Sequence, residues 1–476
     1  MNIQNMNVQA RAATDAAKPI AQALAEFAAN LKHDDIPSMV RIRAHHHMLD
    51  AAGIAQASTR YDFAHKTLSG LRALAGEGDV PVFGMTAALP MRDAATMNGF
   101  LCHGLDYDDT HIAGIVHPTS SILPAVVSAA AYVGATGREL TTAYIIGVEA
   151  AARIGMCAKS QFHQVGFHPT GIVGIFGCVL AAGRLMGLNA KQLQNAQGLA
   201  LSMAAGSMEF LEDGAWNKRF HPGWAASSAI TAAALAKEGF VGASAPYDGR
   251  FGLFNSYLGC GPRTEEVDLS LATKGLGKEW ELLATAIKPF PTCHFTHAAI
   301  DAALLLRDEI ADLADIKAIT VKVPEGTHKT ICEPVANKLK PKNDYDAKFS
   351  VQFLVAAAML RGRLTLAEME PEELNAPDIL ALASKVSYAD DPESPFPAVY
   401  SGEVIITLAD GSELSHREHI NRGAADRPLS NDDIIVKFRD NATMLVNEET
   451  IDRQQDAMLF LDETETALEA MWMFSG

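Results

Sequence analysis

The chain has 476 residues, a hydrophobic share of 48% and a formal net charge of −18 at pH 7. So many apolar residues exclude intrinsic disorder, and the negative charge argues against a nucleic-acid or anionic-membrane partner, since both need a positive face. At roughly 150 residues per domain, the length predicts two or three domains.

The start of the chain and its cysteines predict a cytoplasmic protein. Residues 1–27 lack the basic segment followed by a compact apolar segment that marks a secretory signal. The longest apolar stretches, such as residues 122–135, fall short of the about 18 residues needed to span a bilayer. The cysteines show neither a CxxC pair nor regular spacing, which is typical of reduced thiols; they are Cys102, Cys157, Cys178, Cys260, Cys293 and Cys332.

Residues 16 to about 240 have an almost wholly helical pattern of Ala-rich runs separated by Gly, Pro or polar turns. Thr136 with Glu139, and Asn189 with Gln192, have the spacing of capping boxes at helix starts. The run after Glu139 has so little polar surface that we expect it to be packed on all sides, as in the middle of a large helical domain.

The pattern changes after about residue 283, where prolines interrupt the chain and alternating apolar and polar residues predict strands over 316–324 and 402–411. Helices are expected over 296–312 and 347–361, and Ser430 is expected to cap a later one. We therefore predict a mainly α protein with two domains: a helical domain of residues 1–283 and 421–476, and an α+β domain of residues 284–420.

The densest polar cluster is His103-Gly-Leu-Asp-Tyr-Asp-Asp-Thr-His111, followed by His117-Pro. It leads directly into an apolar helix, and burial there would separate carboxylate and imidazole pKa values, which gives one site both an acid and a base. His117, with an ordinary imidazole pKa near 6.5, could act in either direction at neutral pH. The alternative is a capping loop whose Asp and Thr side chains bind helix N–H groups.

Further candidates are spread along the chain. His163 and His168 are five residues apart, a spacing that disfavours a metal pair on one helical face. Lys218 is a basic residue beside an Ala-rich helix, although surface lysines are more often simply solvated. The segment from Lys288 to His297 lies at the boundary between the two patterns, where clefts form. The triplet His45–His47 is expected to be partly core and partly surface.

Together these residues indicate a site that binds carboxylates through Lys218 and Lys288 and transfers protons through His117 and Asp106. Charge that develops beside a carboxylate needs fixed cationic donors. The sequence has neither a GxGxxG between strand and helix nor a P-loop. We therefore expect no cofactor and no metal.

Motif segments are spread over nearly the whole chain: Ala88-Leu-Pro90, Asp93 to Gly99, His103 to Thr110, His117-Pro-Thr-Ser-Ser, Gly166-Phe-His168-Pro-Thr-Gly, Lys218-Arg-Phe-His221-Pro-Gly, Lys288-Pro-Phe-Pro-Thr-Cys293, Thr296-His297 and Ala347-Lys-Phe-Ser350. In these segments and in their order the chain resembles the MmgE/PrpD family, which includes 2-methylcitrate dehydratase, cis-aconitate decarboxylase and iminodisuccinate epimerase.

The resemblance implies a large helical domain made from both chain ends, a smaller α+β lid, a homodimer, and a metal-free active site in the cleft between the domains. By motif position, the implied catalytic residues are His117, Asp106 and Thr110. The implied substrate-binding residues are Lys218, Lys288, His168, His163 and Cys293.

Two departures bear on the reaction. One extra residue separates Thr110 from His117 relative to the decarboxylase pattern. Cys293 stands where that pattern has a histidine, which disfavours cis-aconitate decarboxylation, although other branches of the family have the same Cys-x-x-Thr-His form.

The leading hypothesis is a cofactor-free lyase acting on a small di- or tricarboxylate, a dehydratase of the 2-methylcitrate type. In it Lys218, Lys288 and His168 bind carboxylates, His117 exchanges a proton, and Asp106 orients or charges an imidazole. A cis-aconitate-type decarboxylase and an iminodisuccinate-type epimerase remain open. More remote alternatives are a magnesium-dependent enzyme, because Asp106-Tyr-Asp-Asp109 resembles the metal loop of isoprenoid synthases, and a non-enzymatic helical interaction protein.

Overall fold

The computed structural model describes residues 18–259 and 261–476, and the protein is mainly α, as predicted, with 57% helix. Within the described residues, helices α1 to α22 are, in chain order, Ile20–Asn30, Ser38–Ser58, Asp62–Ala75, Met91–Cys102, Pro118–Val133, Gly137–Cys157, Gln161–Gln164, Pro169–Leu185, Ala190–Ala200, Asn217–Lys237, Leu253–Leu258, Pro262–Glu265, His297–Arg307, His328–Ile331, Val335–Leu339, Asp344–Ala347, Val351–Arg361, Pro371–Leu374, Pro377–Ala383, Asn431–Ala442, Glu448–Leu459 and Ala467–Trp472.

Short strands form two small pairs and one larger sheet. Strands β1 to β8 are Val80–Pro81, Ala88–Leu89, Thr110–His111, Thr285–Ala286, Ile316–Val323, Val386–Asp390, Gly402–Leu408 and Glu413–Glu418. The larger sheet has the order β6-β5-β7-β8, with β5 parallel to β6 and antiparallel to β7. The predicted strands over 316–324 and 402–411 are confirmed as β5 and β7, whereas β6, β8 and the two-residue strands β1 to β4 were not predicted.

Within the described residues, two large apolar cores organise the chain, beside a third cluster of only Ile287, Leu429 and Ile434. The first joins the helices of residues 20–282 to those of residues 438–474. The two chain ends approach closely there, since a Cβ atom added to Gly53 on α2 would lie 2.8 Å from Cδ2 of Phe438 on α20. The second core joins α13, α17 and the larger sheet, and it includes Ile112 and Phe210 from the helical part. The predicted domain boundaries themselves stay a prediction.

Local signals specified helix starts better than helix ends. Thr136 and Asn189 form capping boxes with Glu139 and Gln192, as predicted. Ser430 caps α20 through the N–H of Asp433. The helix expected over 296–312 is shorter: it ends at Arg307, and its last turn is followed by an irregular segment.

The expectation that His45, His46 and His47 divide between core and surface is wrong, because all are buried at 5%, 5% and 1% exposure. Helix α2 is covered on several sides, by α4, α6 and α20 among others. His45 Nε2 hydrogen-bonds Thr141 of α6, and His47 Nδ1 bonds Asp109 at 2.7 Å.

Among the helices of the described residues, one, α6, is long and apolar enough to cross a membrane by length and composition, which the sequence analysis did not anticipate. In the structure 94% of its most apolar window is buried inside the protein. It packs against α5 and α8, so its apolar surface is satisfied by other helices.

Candidate active site

The loop between α4 and α5, residues 103–117, lies where the two cores meet. Its strand β3 pairs antiparallel with β4, so that Thr110 is opposite Ala286. This short pairing places Lys288, two residues beyond β4, beside the loop. Residues 182 positions apart in the sequence are thus brought into hydrogen-bond contact.

Asp106 is the centre of charge in this loop. Its Oδ1 accepts hydrogen bonds from Lys218 Nζ at 2.7 Å and from Lys288 Nζ at 3.0 Å. Burial by itself would raise the pKa of Asp106, but the two ammonium groups outweigh burial and hold that pKa well below its usual range. Asp106 therefore hydrogen-bonds two lysines rather than an imidazole. One carboxylate and two ammonium groups together carry a net positive charge.

The carboxylate that binds an imidazole is Asp108. Both of its oxygens lie 2.8 Å from His103 Nδ1. Burial opposes ionisation of Asp108, but His103 and then His117 favour it, and the pKa of Asp108 is lowered. The sequence analysis expected Asp106 to bind an imidazole. In the structure the carboxylate that does so is Asp108, two residues later.

His117 and His168 occupy equivalent positions at the starts of two buried helices. Each is the cap residue before a proline at the first position of its helix, α5 or α8. Pro is favoured there because it lacks the N–H that would be unpaired. Both imidazoles therefore lie at the positive ends of helix dipoles, which favour anions and neutral imidazole.

The hydrogen bonds of His117 fix its tautomer. Nδ1 lies 2.7 Å from the carbonyl oxygen of Asp109 and 3.1 Å from Thr110 Oγ1. A carbonyl only accepts, so Nδ1 carries the hydrogen and the neutral ring keeps a lone pair on Nε2. The expected pKa near 6.5 is wrong, because burial, with a further contribution from Lys288, holds the pKa of His117 well below that value.

Two more imidazoles are neutral for the same reason. His168 Nδ1 lies 3.1 Å from His221 Nδ1, so one ring donates and the other accepts. Burial, followed by the neighbouring His221, lowers the pKa of His168 well below its ordinary value. Burial also lowers the pKa of His163 to about 4.

These groups border a small cavity of about 40 Å³, which opens into a space of about 450 Å³ that includes the solvent at its mouth. Among the described residues, no Asp or Glu side chain lines it, whereas two lysines do. Asp106 does not line the cavity but binds both of those lysines. The sequence-predicted residues that line it are Thr110, His117, His163, His168, Lys218, Lys288 and Cys293.

The rest of the wall is mostly apolar, and sequence reasoning assigned none of these residues a role, although His294 and Phe295 lie in the candidate segment from Lys288 to His297. They are Ile115, Met208, Phe210, Leu211, His294, Phe295, Thr330, Phe349 and Tyr400. Phe349 belongs to a segment that carried the family resemblance, so it had a signal. Phe210 and Tyr400 had none, because an isolated aromatic residue in a loop or a single helical turn has no periodicity that distinguishes a cavity wall from core.

Some members of the predicted clusters turn away from the cavity. Asp109 accepts hydrogen bonds from His47 and Thr119 in the helical core. His111 Nε2 lies 3.1 Å from Glu281 Oε2 on another face of the loop. These two residues fit the capping and packing alternative better than a catalytic role.

Among the described residues, two overlapping groups of side chains could accept a metal ion. They are His103, Asp106, Asp108 and His117, and the three imidazoles of His103, His117 and His168; within each group the ligand atoms lie within 4.8 Å of one another. All of these residues are buried, and carboxylates with imidazoles suit several divalent cations. The expectation of a metal-independent site therefore stays a prediction.

Comparison with known proteins bears out the resemblance. The MmgE/PrpD N-terminal domain model matches residues 22–265, and the C-terminal domain model matches residues 290–463. The chain is 28% identical to human cis-aconitate decarboxylase over 452 residues, covering 91% of this chain and 90% of that protein. It is 25% identical to a cis-aconitate decarboxylase-like protein of Aspergillus oryzae, covering 95% and 96%. It is 26% identical to 2-methylcitrate dehydratase of Cupriavidus necator, covering 79% and 80%.

Proposed function

Because the chain belongs to the MmgE/PrpD family, we propose that it is a lyase acting on a small tricarboxylate, with dehydration of a 2-methylcitrate-type substrate as the first candidate reaction. The observation that carries the proposal is the charge of the cavity. Lys218 and Lys288 both border it, and among the described residues no carboxylate does. Such a cavity favours a ligand with several carboxylates.

The proposed reaction starts with a carboxylate of the substrate bound by Lys218 and Lys288. Neutral His117 removes the proton from the carbon beside that carboxylate through Nε2. The negative charge that develops on the carboxylate is stabilised by the two ammonium groups, which are already in place. The protonated His117 ring then gives its proton to the hydroxyl group on the next carbon, which leaves as water while a double bond forms between the two carbons.

Thr110 and His168 have supporting roles in this proposal. Thr110 Oγ1 and the Asp109 carbonyl hold the His117 ring in one orientation, which keeps Nε2 as the base. His168 is neutral and borders the same cavity, so it can donate a hydrogen bond to a second carboxylate.

Decarboxylation of a cis-aconitate-type substrate is the second candidate. The specific observation in its favour is the apolar wall that includes Phe210, Leu211 and Phe349. A carboxylate placed against that wall is desolvated, which favours loss of CO2. The same wall also suits the methyl group of a 2-methylcitrate-type substrate.

Proton NMR in deuterated water separates the reactions. The purified protein is incubated with 2-methylcitrate, cis-aconitate or iminodisuccinate, with and without EDTA. A dehydratase forms an unsaturated tricarboxylate from the first, a decarboxylase releases CO2 from the second, and an epimerase exchanges deuterium at the carbon it inverts. Lys288→Met is the control, and conversion of none of the three by the wild type would refute the proposal. Activity lost with EDTA and restored by magnesium would refute the metal-independent form.

We also propose that the protein is a homodimer, as the family resemblance implies. Light scattering during gel filtration tests this, with an expected mass of twice the chain mass of 50.9 kDa.

A further inference from the structure

The turn that carries Asp106 has an unusual set of hydrogen-bond donors. Successive carbonyl oxygens of the turn each accept from a different cationic side chain. Arg219 Nε donates to Gly104 O at 2.7 Å, Lys348 Nζ to Leu105 O at 2.5 Å, Lys288 Nζ to Asp106 O at 2.7 Å, and Lys437 Nζ to Tyr107 O at 2.8 Å.

The turn needs such donors for a conformational reason. Asp106 has a φ of 53°, in the left-handed region that residues other than glycine adopt at a cost of about 1 kcal/mol or more. The carbonyls of this turn belong to no helix or strand ladder, so each needs another donor when buried. The cationic side chains supply those donors and oppose relaxation of the turn.

Among the four side chains that donate to the turn, Lys348 is the one whose burial no ion pair explains. It is 1% exposed, and in the described part of the chain its ammonium lies within 4.0 Å of no carboxylate. Burying a lysine without an ionic partner is costly. Its recorded hydrogen bond goes to Leu105 O, and it is not among the residues that line the cavity.

Arg219 and Lys437 reach the turn from two other directions. The Arg219 guanidinium lies between the rings of Phe63 and Tyr345, at 4.1 and 4.0 Å from their centroids. Lys437 pairs with Asp50 at 2.9 Å and lies 3.8 Å from the centre of the Tyr107 ring. These contacts fix the positions of both side chains independently of their hydrogen bonds to the turn.

We propose that Arg219, Lys348 and Lys437 are positioning residues that hold the Asp106 turn in its left-handed conformation, so that one carboxylate stays between Lys218 and Lys288. The proposal rests on the proposed function, since Asp106 matters through the two lysines that bind substrate. It assigns none of the three a contact with substrate. It also makes the geometry of the site depend on α10, the segment before α17, and α20 at once.

The ionisation of Lys348 fits this role. Burial, only partly offset by Asp344, lowers its pKa to about 7. Charged and neutral lysine amines both carry N–H groups that can donate to a carbonyl. A neutral donor at this position is therefore expected to serve nearly as well as a charged one.

The test combines three variants with a matched control. Lys348→Met removes the donor to Leu105, and Lys348→Gln keeps an N–H donor one bond shorter. Lys437→Met is made together with Asp50→Asn so that no unpaired carboxylate is left, with Asp50→Asn alone beside it. Lys338→Met is the control, because Lys338 is equally buried at 1% exposure but bonds none of the turn carbonyls.

Amide hydrogen exchange gives a readout that does not depend on turnover. Both methionine variants should exchange at least tenfold faster over residues 103–110, with no change over residues 190–200 in α9. Lys338→Met and Asp50→Asn should leave both segments as in the wild type. Equal exchange over 103–110 in Lys348→Met and Lys338→Met would overturn the proposal.

Steady-state kinetics gives the second readout. Lys348→Met should lower kcat/KM 10- to 100-fold, because the turn acts through the two lysines that bind substrate, and Lys348→Gln should recover part of that loss. Combining the Lys348 and Lys437 changes should lower kcat/KM no more than threefold beyond the worse of the two, because both act through one turn. Multiplicative losses would overturn the proposal. If the wild type converts none of the substrates, the proposed function is refuted. Hydrogen exchange still tests whether these side chains hold the turn.

Discussion

The loop of residues 103–117 has two sides that use the same kinds of residue differently. On its core side, Asp109 accepts hydrogen bonds from His47 Nδ1 at 2.7 Å and from the Thr119 backbone N–H at 3.1 Å. On its cavity side, Asp106 is shared by Lys218 and Lys288. The core side borders packed helices, whereas the lysines of the cavity side border an open space.

The two sides differ in how many N–H bonds of the donor groups remain free to bind another acceptor. The donors to Asp109 come from a neutral imidazole and a helix start, so that cluster is a structural cap. The donors to Asp106 are ammonium groups that each carry further N–H bonds, so they can bind a second anion from the cavity. Three residues of sequence separate a group that stabilises the fold from one that is suited to binding substrate.

The largest expected effect is on the cavity side. His117→Ala should lower kcat by roughly 10²–10⁴, the contribution typical of a general acid–base group, with little change in Tm. Steady-state kinetics and thermal melting measure both quantities. A variant that keeps more than a third of wild-type kcat would exclude His117 as the base.

A substitution on the core side should show the opposite pattern. Asp109→Ala should lower the free energy of unfolding by about 2–4 kcal/mol, because it removes hydrogen bonds to a buried charged group. Urea unfolding measures the loss. The comparison fails if the folded variant loses more kcat than His117→Ala while keeping wild-type stability.

The next effect concerns substrate affinity. Lys218→Met should weaken binding by about 1.5–3 kcal/mol, which corresponds to a roughly 10- to 100-fold higher KM. Lys218→Arg should restore binding only in part, because the planar guanidinium and the compact ammonium fit different pockets. An unchanged KM in Lys218→Met would mean that this lysine only neutralises the charge of Asp106 and does not bind substrate.

The effect of pH on kcat/KM should be smaller than these changes, but it tests whether neutral His117 is the base. His117 acts as a base in its neutral form, and burial lowers its pKa, so the acid limb of kcat/KM should lie below pH 6.5. Asp108 raises the pKa of His117, so Asp108→Asn should move the limb to still lower pH. A wild-type limb at or above pH 6.5 would contradict the assignment.

The smallest expected effect is on local motion. A bound tricarboxylate should slow amide exchange on the 103–118 loop and on residues 286–297, because the site is completed by both segments. Citrate serves as the ligand, with Lys218→Met as the control that binds it weakly. Protection confined to one segment would refute a shared cleft and, with it, the lid role predicted for residues 284–420.

The sequence predicted the helical texture, the strands β5 and β7, and the capping boxes, because these depend on residue spacing within a few positions of the chain. It also predicted seven residues that line the cavity. Some of them are polar residues ahead of apolar helices, and others, such as His163 and Cys293, are positions that the family resemblance implies. It could not separate Asp106 from Asp108 and Asp109, because adjacent loop residues differ only in the direction of their side chains.

The sequence by itself determined that the chain is mainly α, that it belongs to the MmgE/PrpD family, and which polar loops carry the candidate chemistry. Only the tertiary structure decided which carboxylate binds lysines, that His117 is neutral, and that Phe210 and Tyr400 form part of the wall. The physical reason is that burial and long-range contacts set pKa values and side-chain partners. The β3–β4 pairing brings Lys288 to Asp106, and these two residues are 182 positions apart, a distance over which local spacing carries no information.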